Sequence, residues 1–422
     1  MRTCVFRIRG PSGIDSTVPS SPFERFVFRH FFDGLALCGA LAEWGLLCWL
    51  LLPLGFTPPA ALHVAVPLAL AVMNRLAARP LEHEPPAGPL AARAGHVLLA
   101  CAFGALVGAG ALAVAGGAWA ALAFFGALRA EAGVVAASAA GALVEPGFRA
   151  LGTVVLAASS AAVGWGYARG YRRLAVTEIA LPLVDLAPAL AGLRLVHLSD
   201  FHLGPLADRA AVRAALDRVV ALDPDVVCVT GDIVDSPAAR LDSWIPELAR
   251  LTARHGVYTI LGNHDRHVGA DRVAEALRRF TGWRVLRDEV AVVEVGGARL
   301  HLLGLEDRPD GKLTDALPGL VARVPAGEPA VLLAHRPTVF AEAAAMGVPL
   351  TLAGHTHGGQ VAVPGVPRIN VARIMGARFD AGAFGRDGAR LHVSRGLGTS
   401  GQRVRVGVPC EITVMRLAAR AA

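Results

Sequence analysis

Long apolar stretches, almost free of charge, occupy roughly the first 170 residues of the chain, and shorter apolar stretches alternate with charged residues after them. Four of the long stretches have the length that an α-helix needs to cross a bilayer, and they cover residues 35–54, 60–78, 97–115 and 148–168. Their many glycine and alanine residues favour close packing between helices. We therefore expect a transmembrane helical region of about four spans at residues 32–173, after a basic cytoplasmic tail at residues 1–31.

Residues 117–147 fit two interpretations. They are apolar, but Arg129 and Glu131 lie near their middle and Glu145-Pro146 at their end. They form either a re-entrant or interfacial pair of helices or one more span. An even number of crossings is favoured, because it leaves every arginine cluster on one side, and arginine-rich flanks of membrane segments face the cytoplasm. The clusters comprise Arg25 and Arg29, Arg75 and Arg79, and Arg169, Arg172 and Arg173.

Four spans would make the chain a multi-pass protein of a bacterial inner membrane, with its C-terminal part in the cytoplasm. Glu43 is the acidic residue of the first predicted span. Because a carboxyl group is costly in lipid, this side chain should face another helix or a cavity. We expect it to form a hydrogen bond between helices.

Short apolar runs follow a proline-containing linker, which we place at residues 174–192. They predict β-strands that alternate with amphipathic helices, the pattern of an α/β domain with a mixed sheet. The domain should cover residues 193–422. The predicted strands lie at residues 193–198, 225–230, 257–261, 290–295, 299–303, 330–334, 350–353, 390–393 and 411–416. The predicted helices lie at residues 207–222, 244–253 and 270–280.

Charge and cysteine content argue against several classes of function. The formal net charge is +7, and 54% of the residues are hydrophobic while 18% are charged. The arginines lie at the ends of the apolar stretches and no nucleic-acid motif is present, so we expect membrane lipids rather than nucleic acid as partners. The six cysteines form no CxxC pair, which favours reduced, buried cysteines over disulfides or a cysteine zinc site.

Polar side chains follow five of the predicted strands at the point where each strand ends. Alone, an aspartate after a strand is usually a helix cap, and a lone histidine is usually a structural residue. Together they indicate one shared site, because open α/β sheets place their sites at the carboxyl ends of strands. The candidates are Asp200, His202, Asp232, Asp235, Asn263, His264, Asp265, His335, His355 and His357.

Metal binding explains why such a set would be gathered. Buried aspartate, asparagine and histidine side chains are costly without partners, and cations offset that cost. Mixed carboxylate and imidazole ligands suit Mn²⁺, Fe or Zn²⁺. Two cations about 3.5–4 Å apart can stabilise both the attacking and the leaving oxygen of a displacement at phosphorus. The residues therefore point to two divalent metal ions and to phosphoester hydrolysis.

The motifs resemble those of the calcineurin-like metallophosphoesterase superfamily: D-x-H, G-D-x-x-D, G-N-H-D/E, a lone H and G-H-x-H. The last motif reads G-H-T-H-G-G-Q, as in bacterial membrane-associated members of the phosphodiesterase type. The resemblance implies a four-layer αββα sandwich of two mixed β-sheets. It also implies a ligand set: Asp200, His202 and His357 for the first metal, Asn263, His335 and His355 for the second, and Asp232 bridging both.

The same resemblance implies how the reaction proceeds. A metal-bridging hydroxide would attack phosphorus, since a bound cation lowers the pKa of water. His264 would protonate the leaving oxygen or neutralise charge on it, and Asp265 would orient His264. Arg266 and Arg336 either contact a substrate phosphate or are solvated surface charges.

The expected substrate is a phosphodiester or pyrophosphate, lipid-linked or nucleotide-linked, at the membrane surface. Because related membrane-associated members cleave UDP-diacylglucosamine during lipid A synthesis, that compound is one candidate. The alternative function is a membrane sensor or scaffold that uses this fold only to bind a ligand, although no ligand residue has been lost. A transporter is a third possibility, and its only support is Glu43, Arg129 and Glu131.

Overall fold

The structure is a computed structural model, and it describes residues 22–82, 89–131, 137–183, 186–236, 239–309 and 312–419. These residues divide into two compact units. The first is helical and consists of residues 26–80 and 87–168. The second contains residues 169–422, of which the described part is an α/β unit.

Four helices form the helical unit: α1 (Pro22–Leu51), α2 (Leu62–Glu82), α3 (Pro89–Glu131) and α4 (Ala137–Ala168). Each predicted span lies largely on one of them, although α1 ends at Leu51 and α2 begins at Leu62. Two stretches are long and apolar enough to cross a membrane by length and composition alone, Ala100–Ala121 on α3 and Pro146–Ala168 on α4. The apolar parts of α1 and α2, Ala36–Leu51 and Leu62–Ala77, are shorter.

The ambiguous residues 117–147 belong to the two longest helices. Residues 117–131 continue α3, and residues 137–147 begin α4. Residues 132–136 lie outside the described part of the chain, as do residues 1–21 of the basic tail. The second part of that tail, from Pro22, is already helical.

The prediction for Glu43 is confirmed. On α1, the Glu43 carboxylate accepts a 3.0 Å hydrogen bond from Nδ2 of Asn74 on α2. Asn74 is fully buried. A hydrogen bond between the two helices thus pairs the Asn74 amide nitrogen with the Glu43 carboxylate, which offsets part of the cost of placing these groups among apolar side chains.

The strands in the described part of the α/β unit form two six-stranded sheets and one hairpin. The sheet orders are β1-β14-β2-β3-β4-β5 and β12-β13-β9-β8-β7-β6, and β10 pairs with β11. Both sheets are mixed, because β14 runs antiparallel to β2 in the first, and β7 and β13 run antiparallel to β6 and β12 in the second. The prediction of an α/β domain with two mixed sheets is confirmed.

The strands of this unit are β1 (Leu174–Leu183), β2 (Arg194–Leu198), β3 (Val226–Thr230), β4 (Val257–Ile260), β5 (Arg284–Val285), β6 (Glu289–Val295), β7 (Ala298–Gly304), β8 (Ala330–Leu333), β9 (Leu350–Ala353), β10 (Ala362–Val363), β11 (Val366–Asn370), β12 (Gly382–Arg386), β13 (Ala389–Val393) and β14 (Cys410–Ala419). The helices are α5 (Arg209–Ala221), α6 (Leu241–Leu248), α7 (Asn263–Thr281), α8 (Leu317–Val321), α9 (Phe340–Ala345) and α10 (Val371–Ile374).

The two sheets pack face to face, and helices cover their outer faces. Strand β3 shows how, because alternate side chains of a strand point to opposite faces. Cys228 belongs to the apolar cluster shared with the second sheet, while Val227 and Val229 belong to the cluster shared with α5, α6 and α7. On the second sheet, α8 and α9 supply residues such as Leu320 to the outer cluster. Four layers result.

The expected linker at residues 174–192 is wrong for its first half. Residues 174–183 form β1, which pairs in parallel with β14 from Leu174↔Cys410 to Leu183↔Ala419. Pro182, one of the prolines that suggested a linker, lies inside this strand. Because β1 is the edge strand of its sheet, a residue without an N–H donor is tolerated there.

The described cysteines, Cys38, Cys48, Cys101, Cys228 and Cys410, are free, as expected. The expected burial is confirmed for Cys228 and Cys410 but not for Cys38, Cys48 and Cys101, because these lie on the outer sides of α1 and α3. Burial raises the pKa of the Cys228 thiol. That thiol is therefore protonated and unreactive, and it serves in packing between the sheets.

Candidate metal centre

Five loops converge at the carboxyl ends of parallel strands and carry the predicted ligands. Strands β2, β3 and β4 lie side by side and in parallel in the first sheet, and β8 and β9 do so in the second. The candidate side chains lie in the segments that follow these five strands, and Asn263, His264 and Asp265 belong to the first turn of α7. Facing sheets thus bring together residues that are more than 150 positions apart in the chain, such as Asp200 and His355.

Backbone conformation marks five of these residues. Asp200, His202, Asp232, His355 and His357 have positive φ angles, from 46° to 74°. Nine non-glycine residues of the described chain do so, so more than half of them are predicted ligands. Such conformations cost roughly 1–3 kcal/mol each and concentrate at functional sites.

Two glycines let the loops approach each other closely. A Cβ atom on Gly354 would collide with Ser199 and with the carboxylate of Asp200, and one on Gly262 would collide with Asp232. The glycines that precede His355 and Asn263 are therefore needed for close approach of backbone and carboxylate. Each is part of a motif identified in the sequence.

The first group of predicted ligands is Asp200, His202 and His357. Nε2 of His357 lies 2.9 Å from Nε2 of His202 and 3.4 Å from Oδ1 of Asp200. All three residues are buried. The ligand atoms of this group lie within 4.8 Å of one another, as required of donors to one cation.

The second group is Asn263, His335 and His355. Nε2 of His335 lies 3.0 Å from Oδ1 of Asn263 and 3.2 Å from Nδ1 of His355. His335 and His355 form a cluster with Asp232 whose ligand atoms also lie within 4.8 Å of one another.

Asp232 lies between the two groups. Its Oδ2 is 3.5 Å from Nε2 of His202 in the first group and 3.2 Å from Nε2 of His335 in the second. Its Oδ1 accepts a 2.9 Å hydrogen bond from the backbone N–H of His264. All seven predicted ligands are therefore brought together, with Asp232 facing both groups.

Hydrogen bonds behind the ligands set the tautomers of two histidines. Nδ1 of His335 donates to the backbone carbonyl of Thr230 at 2.8 Å. Nδ1 of His202 lies 3.0 Å from Oδ1 of Asp235. Both rings therefore turn Nε2 toward the site, and that atom can bind a metal once its proton is displaced. Asp235 is a candidate residue of the sequence motif, and this contact gives it the role of orienting His202.

The charge of the site fits cations. Burial alone would lower the pKa of His202 and of His335. The carboxylates of Asp200 and Asp235 instead raise the pKa of His202 to about 10, and the carboxylate of Asp232 raises that of His335 to about 10. Burial would raise the pKa of Asp200, yet His357 and His202 hold it below its ordinary range. The buried carboxylates thus favour positive charge, which divalent cations would supply.

The side chains of His357 and His355, both predicted ligands, are neutral because their pKa values are lowered. Burial holds the pKa of His357 well below its usual value, and His202 and Arg405 lower it further. Burial, followed by the nearby His335, lowers the pKa of His355 to about 3. Neutral imidazoles are the form that coordinates metals.

The role expected for Asp265 needs correction. Its carboxylate accepts hydrogen bonds from the backbone N–H groups of Gly262, Ile233 and Val234, at 2.9–3.1 Å. The ring of His264 instead donates from Nδ1 to the backbone carbonyl of Asp235 at 2.6 Å. Asp265 therefore joins the segment after β3 to the segment after β4, because its carboxylate accepts from backbone N–H groups of both.

Burial and Asp232 raise the pKa of Asp265 to about 6, although its three N–H donors counter that shift. The centroid of the His264 ring lies 4.7 Å from that of His202. His264 is thus at the centre and 27% exposed, which leaves it accessible to a substrate.

Arg405 was missed as a site residue. It is buried, and its Nη2 donates to the carbonyls of Arg395 and Gly398 at 2.7 and 2.6 Å. The same nitrogen lies 3.3 Å from Nδ1 of His357. Arg405 therefore fixes the 395–398 loop beside a candidate ligand. A short sequence window offers no signal for it, because an arginine is normally exposed.

Arg266 and Arg336 both flank the buried Asp307. Nε of Arg336 lies 2.9 Å from Oδ1 of Asp307, and Nη2 of Arg266 lies 3.7 Å from Oδ2. The interpretation of these arginines as purely solvated surface charges does not fit, because each is paired with a buried carboxylate.

An apolar cavity of about 390 Å³ lies beside His202. Its apolar lining includes Leu174, Phe201, Leu206 and Leu397, together with alanines from the first turns of α5. Its polar lining includes Tyr171, Arg172 and Asp208, whose carboxylate accepts hydrogen bonds from the other two at 2.8 and 2.6 Å. The volume is within the range of small-ligand sites, roughly 300–1,000 Å³.

Comparison with known proteins gives a family model and several relatives. A family model described as calcineurin-like phosphoesterase matches residues 193–359. An uncharacterized metallophosphoesterase of Aquifex aeolicus is 32% identical over 233 residues, which cover 53% of this chain and 85% of that protein. The phosphate chemistry named by these matches agrees with the residues described above.

A transmembrane protein with metallophosphoesterase domain of Bos taurus is 32% identical over 260 residues, which cover 58% of this chain and 57% of that protein. A Danio rerio protein of the same description has 56% of its length covered. The chain thus spans little more than half of these two relatives. A solved dimetal phosphatase from Danio rerio has a TM-score of 0.34 and 14% identity, covering 49% of this chain and 88% of that one.

Proposed function

The chain belongs to the calcineurin-like metallophosphoesterases, and we propose that it hydrolyses a lipid- or nucleotide-linked phosphodiester or pyrophosphate at a membrane surface, using two divalent cations. The position of Asp232, with one carboxylate oxygen 3.5 Å from His202 and 3.2 Å from His335, carries the two-cation part of this proposal. The chain is a phosphoesterase by family. Its substrate and its dinuclear mechanism are what we propose.

The protein side chains would divide the work as follows. Asp200, His202 and His357 would hold one cation and Asn263, His335 and His355 the other, with Asp232 shared. When bound, the cations would neutralise phosphate charge and lower the pKa of water to near neutrality. Asp235 and the Thr230 carbonyl engage Nδ1 of His202 and His335, so that Nε2 of each ring would be left to hold a cation.

His264 would supply a proton to the leaving oxygen. Its Nδ1 is committed to the Asp235 carbonyl, which leaves Nε2 as the atom that can carry and release a proton. A proton donor must lie within hydrogen-bond reach of the atom that it protonates, and His264 is a partly exposed histidine among the candidate ligands. The Asp265 clamp would keep the His264 loop and the Asp232 loop in register.

We further propose that residues 32–173 anchor the protein as a multi-pass bundle in a bacterial inner membrane, and that the α/β unit is cytoplasmic. Two helical stretches of membrane-crossing length and the arginine clusters of the sequence support this. A reporter fused after Arg173 should read cytoplasmic. A periplasmic reading would contradict the proposed orientation.

The apolar cavity supports a lipid-linked substrate. It adjoins His202, and the chain reaches its first lining residue, Tyr171, three residues after α4 ends at Ala168. An acyl chain that occupied it would place a linked phosphate near the cations. Methyl, butyl and octyl p-nitrophenyl phosphodiesters should therefore be hydrolysed with kcat/KM rising by up to about fourfold per methylene until the cavity is filled.

Filling the cavity tests this directly. Ala211→Phe should flatten the dependence of kcat/KM on chain length while the methyl ester is still hydrolysed. Ala345→Phe, on the exposed end of α9, is the matched control and should keep the dependence. If the wild-type protein hydrolysed all three esters equally, the lipid-linked substrate would be contradicted but the hydrolysis would not. If it hydrolysed none of the three, the proposed hydrolysis itself would be contradicted.

A further inference from the structure

The segment that follows the last ligand motif is exposed and apolar. After Gln360 the chain forms the β10–β11 hairpin and then α10. The described part of the α/β unit exposes nine large apolar side chains, and six of them lie in thirteen residues here. Ile374 and Met375 are 76% and 81% exposed. The six, which we call the hairpin surface, are Val363, Val366, Ile369, Val371, Ile374 and Met375.

The charged residues of the segment that carries the hairpin surface are all positive. Residues 361–379 contain Arg368, Arg373 and Arg378 but no aspartate or glutamate. Arg373 pairs at 2.8 Å with Asp380, which is buried. Arg368 and Arg378 are exposed, so the surface combines apolar side chains with excess positive charge.

The segment that carries the hairpin surface packs against the turn that contains His357. Asn370 caps α10 by accepting from the backbone N–H of Arg373 at 3.0 Å, and it donates to Asp380 at 2.7 Å. A Cβ atom on Gly359 would come within 2.7 Å of the backbone nitrogen of Ala372. Gly359 belongs to the turn that carries His357, so α10 is seated against that turn. Its outward apolar side chains are part of an ordered structure.

We propose that the hairpin surface binds an anionic lipid bilayer, with Ile369, Ile374 and Met375 at the headgroup–acyl boundary and Arg368 and Arg378 on lipid phosphates. Exposed clusters of apolar side chains mark interaction sites. Apolar residues combined with arginines are typical of elements that lie in the membrane interface.

A second copy of the chain is a poorer occupant of the hairpin surface. Two such surfaces would face each other with excess arginine on both sides, and like charges oppose association. A bilayer with anionic lipids offers complementary charge. Binding there would also hold the turn of His355 and His357 at the lipid surface, close to a lipid-linked phosphate.

The test uses the full chain in vesicles and a fluorophore at one position. Met375→Cys, with Cys4, Cys38, Cys48 and Cys101 replaced by serine, is labelled with an environment-sensitive fluorophore. The vesicles contain two parts phosphatidylcholine to one part phosphatidylglycerol, with a trace of lipid that carries a doxyl quencher near the headgroup. Met346→Cys is the matched control, because Met346 is an isolated exposed methionine next to α9.

We expect the fluorophore at position 375 to be quenched at least about twofold more than the one at position 346, and more strongly than in phosphatidylcholine alone. Arg368→Ser with Arg378→Ser should reduce that difference. Equal quenching at 375 and 346, or quenching indifferent to phosphatidylglycerol, would overturn the proposal. So would a concentration-dependent blue shift without quenching, which indicates self-association. The readout needs no catalysis, so it stands apart from the proposed hydrolysis.

Discussion

Replacing Asp232 with asparagine should reduce the hydrolysis of bis-p-nitrophenyl phosphate to the rate of the buffer blank. The carboxylate faces His202 and His335 through Oδ2. An asparagine that keeps the hydrogen bond from His264 to Oδ1 would place an NH₂ group, which cannot bind a cation, at that position. Loss of a partner outside the ligand shell typically costs 10–100-fold, so loss of the shared ligand should exceed about 100-fold.

The fold of this variant should be preserved. The substitution conserves size and the Oδ1 acceptor, and asparagine tolerates the positive φ of 52° found at Asp232. Asp387→Asn is the matched control, because Asp387 has a φ of 51° and its side chain is 76% exposed. Circular dichroism should give the same spectrum for both variants. An Asp232→Asn protein that kept a tenth of wild-type activity would contradict a bridging role.

Replacing His264 with asparagine should lower kcat by about 10²–10⁴-fold for an ester whose leaving group is an alkyl alcohol. An alkoxide is a poor leaving group and needs a proton, whereas p-nitrophenolate leaves without one. The same variant should therefore lose much less activity on bis-p-nitrophenyl phosphate. That split between substrates is the signature of a proton donor.

Metal content separates the proton-donor role from a ligand role. His264 also lies in a group with His202 and Asp232 that could hold a cation. If His264 acts as the acid, the His264→Asn protein should bind as many metal ions as the wild type. His255→Asn, at the opposite end of β4, is the control and should keep full activity. Equal losses on both substrates together with lost metal would show that His264 is a ligand.

The clustering of the candidate ligands could be predicted from the sequence because each motif is local. Asp232 follows β3 directly, and His355 and His357 follow β9 within a few residues. Each motif can thus be identified from a few consecutive residues that follow a buried strand. The parallel arrangement of β2, β3 and β4 then brings three of the five loops to the same edge of one sheet.

Features that depend on distant pairing could not be predicted. Strand β1 gains its hydrogen bonds from β14, more than 200 positions away, so its proline suggested a linker. Arg405 is buried because carbonyls of residues 395 and 398 surround it, and no local pattern shows that. The partners of Asp265 are backbone groups from two loops, which only the folded chain brings to one point.

The central claim is that this chain hydrolyses phosphoesters with two cations. It is tested most directly by titrating the metal-free full chain with Mn²⁺ while following the hydrolysis of bis-p-nitrophenyl phosphate. The account predicts no hydrolysis without metal and a rate that saturates at two equivalents per chain. Saturation at one equivalent would contradict the shared role of Asp232. No hydrolysis at any concentration of Mn²⁺, Fe²⁺ or Zn²⁺ would contradict the claim as a whole.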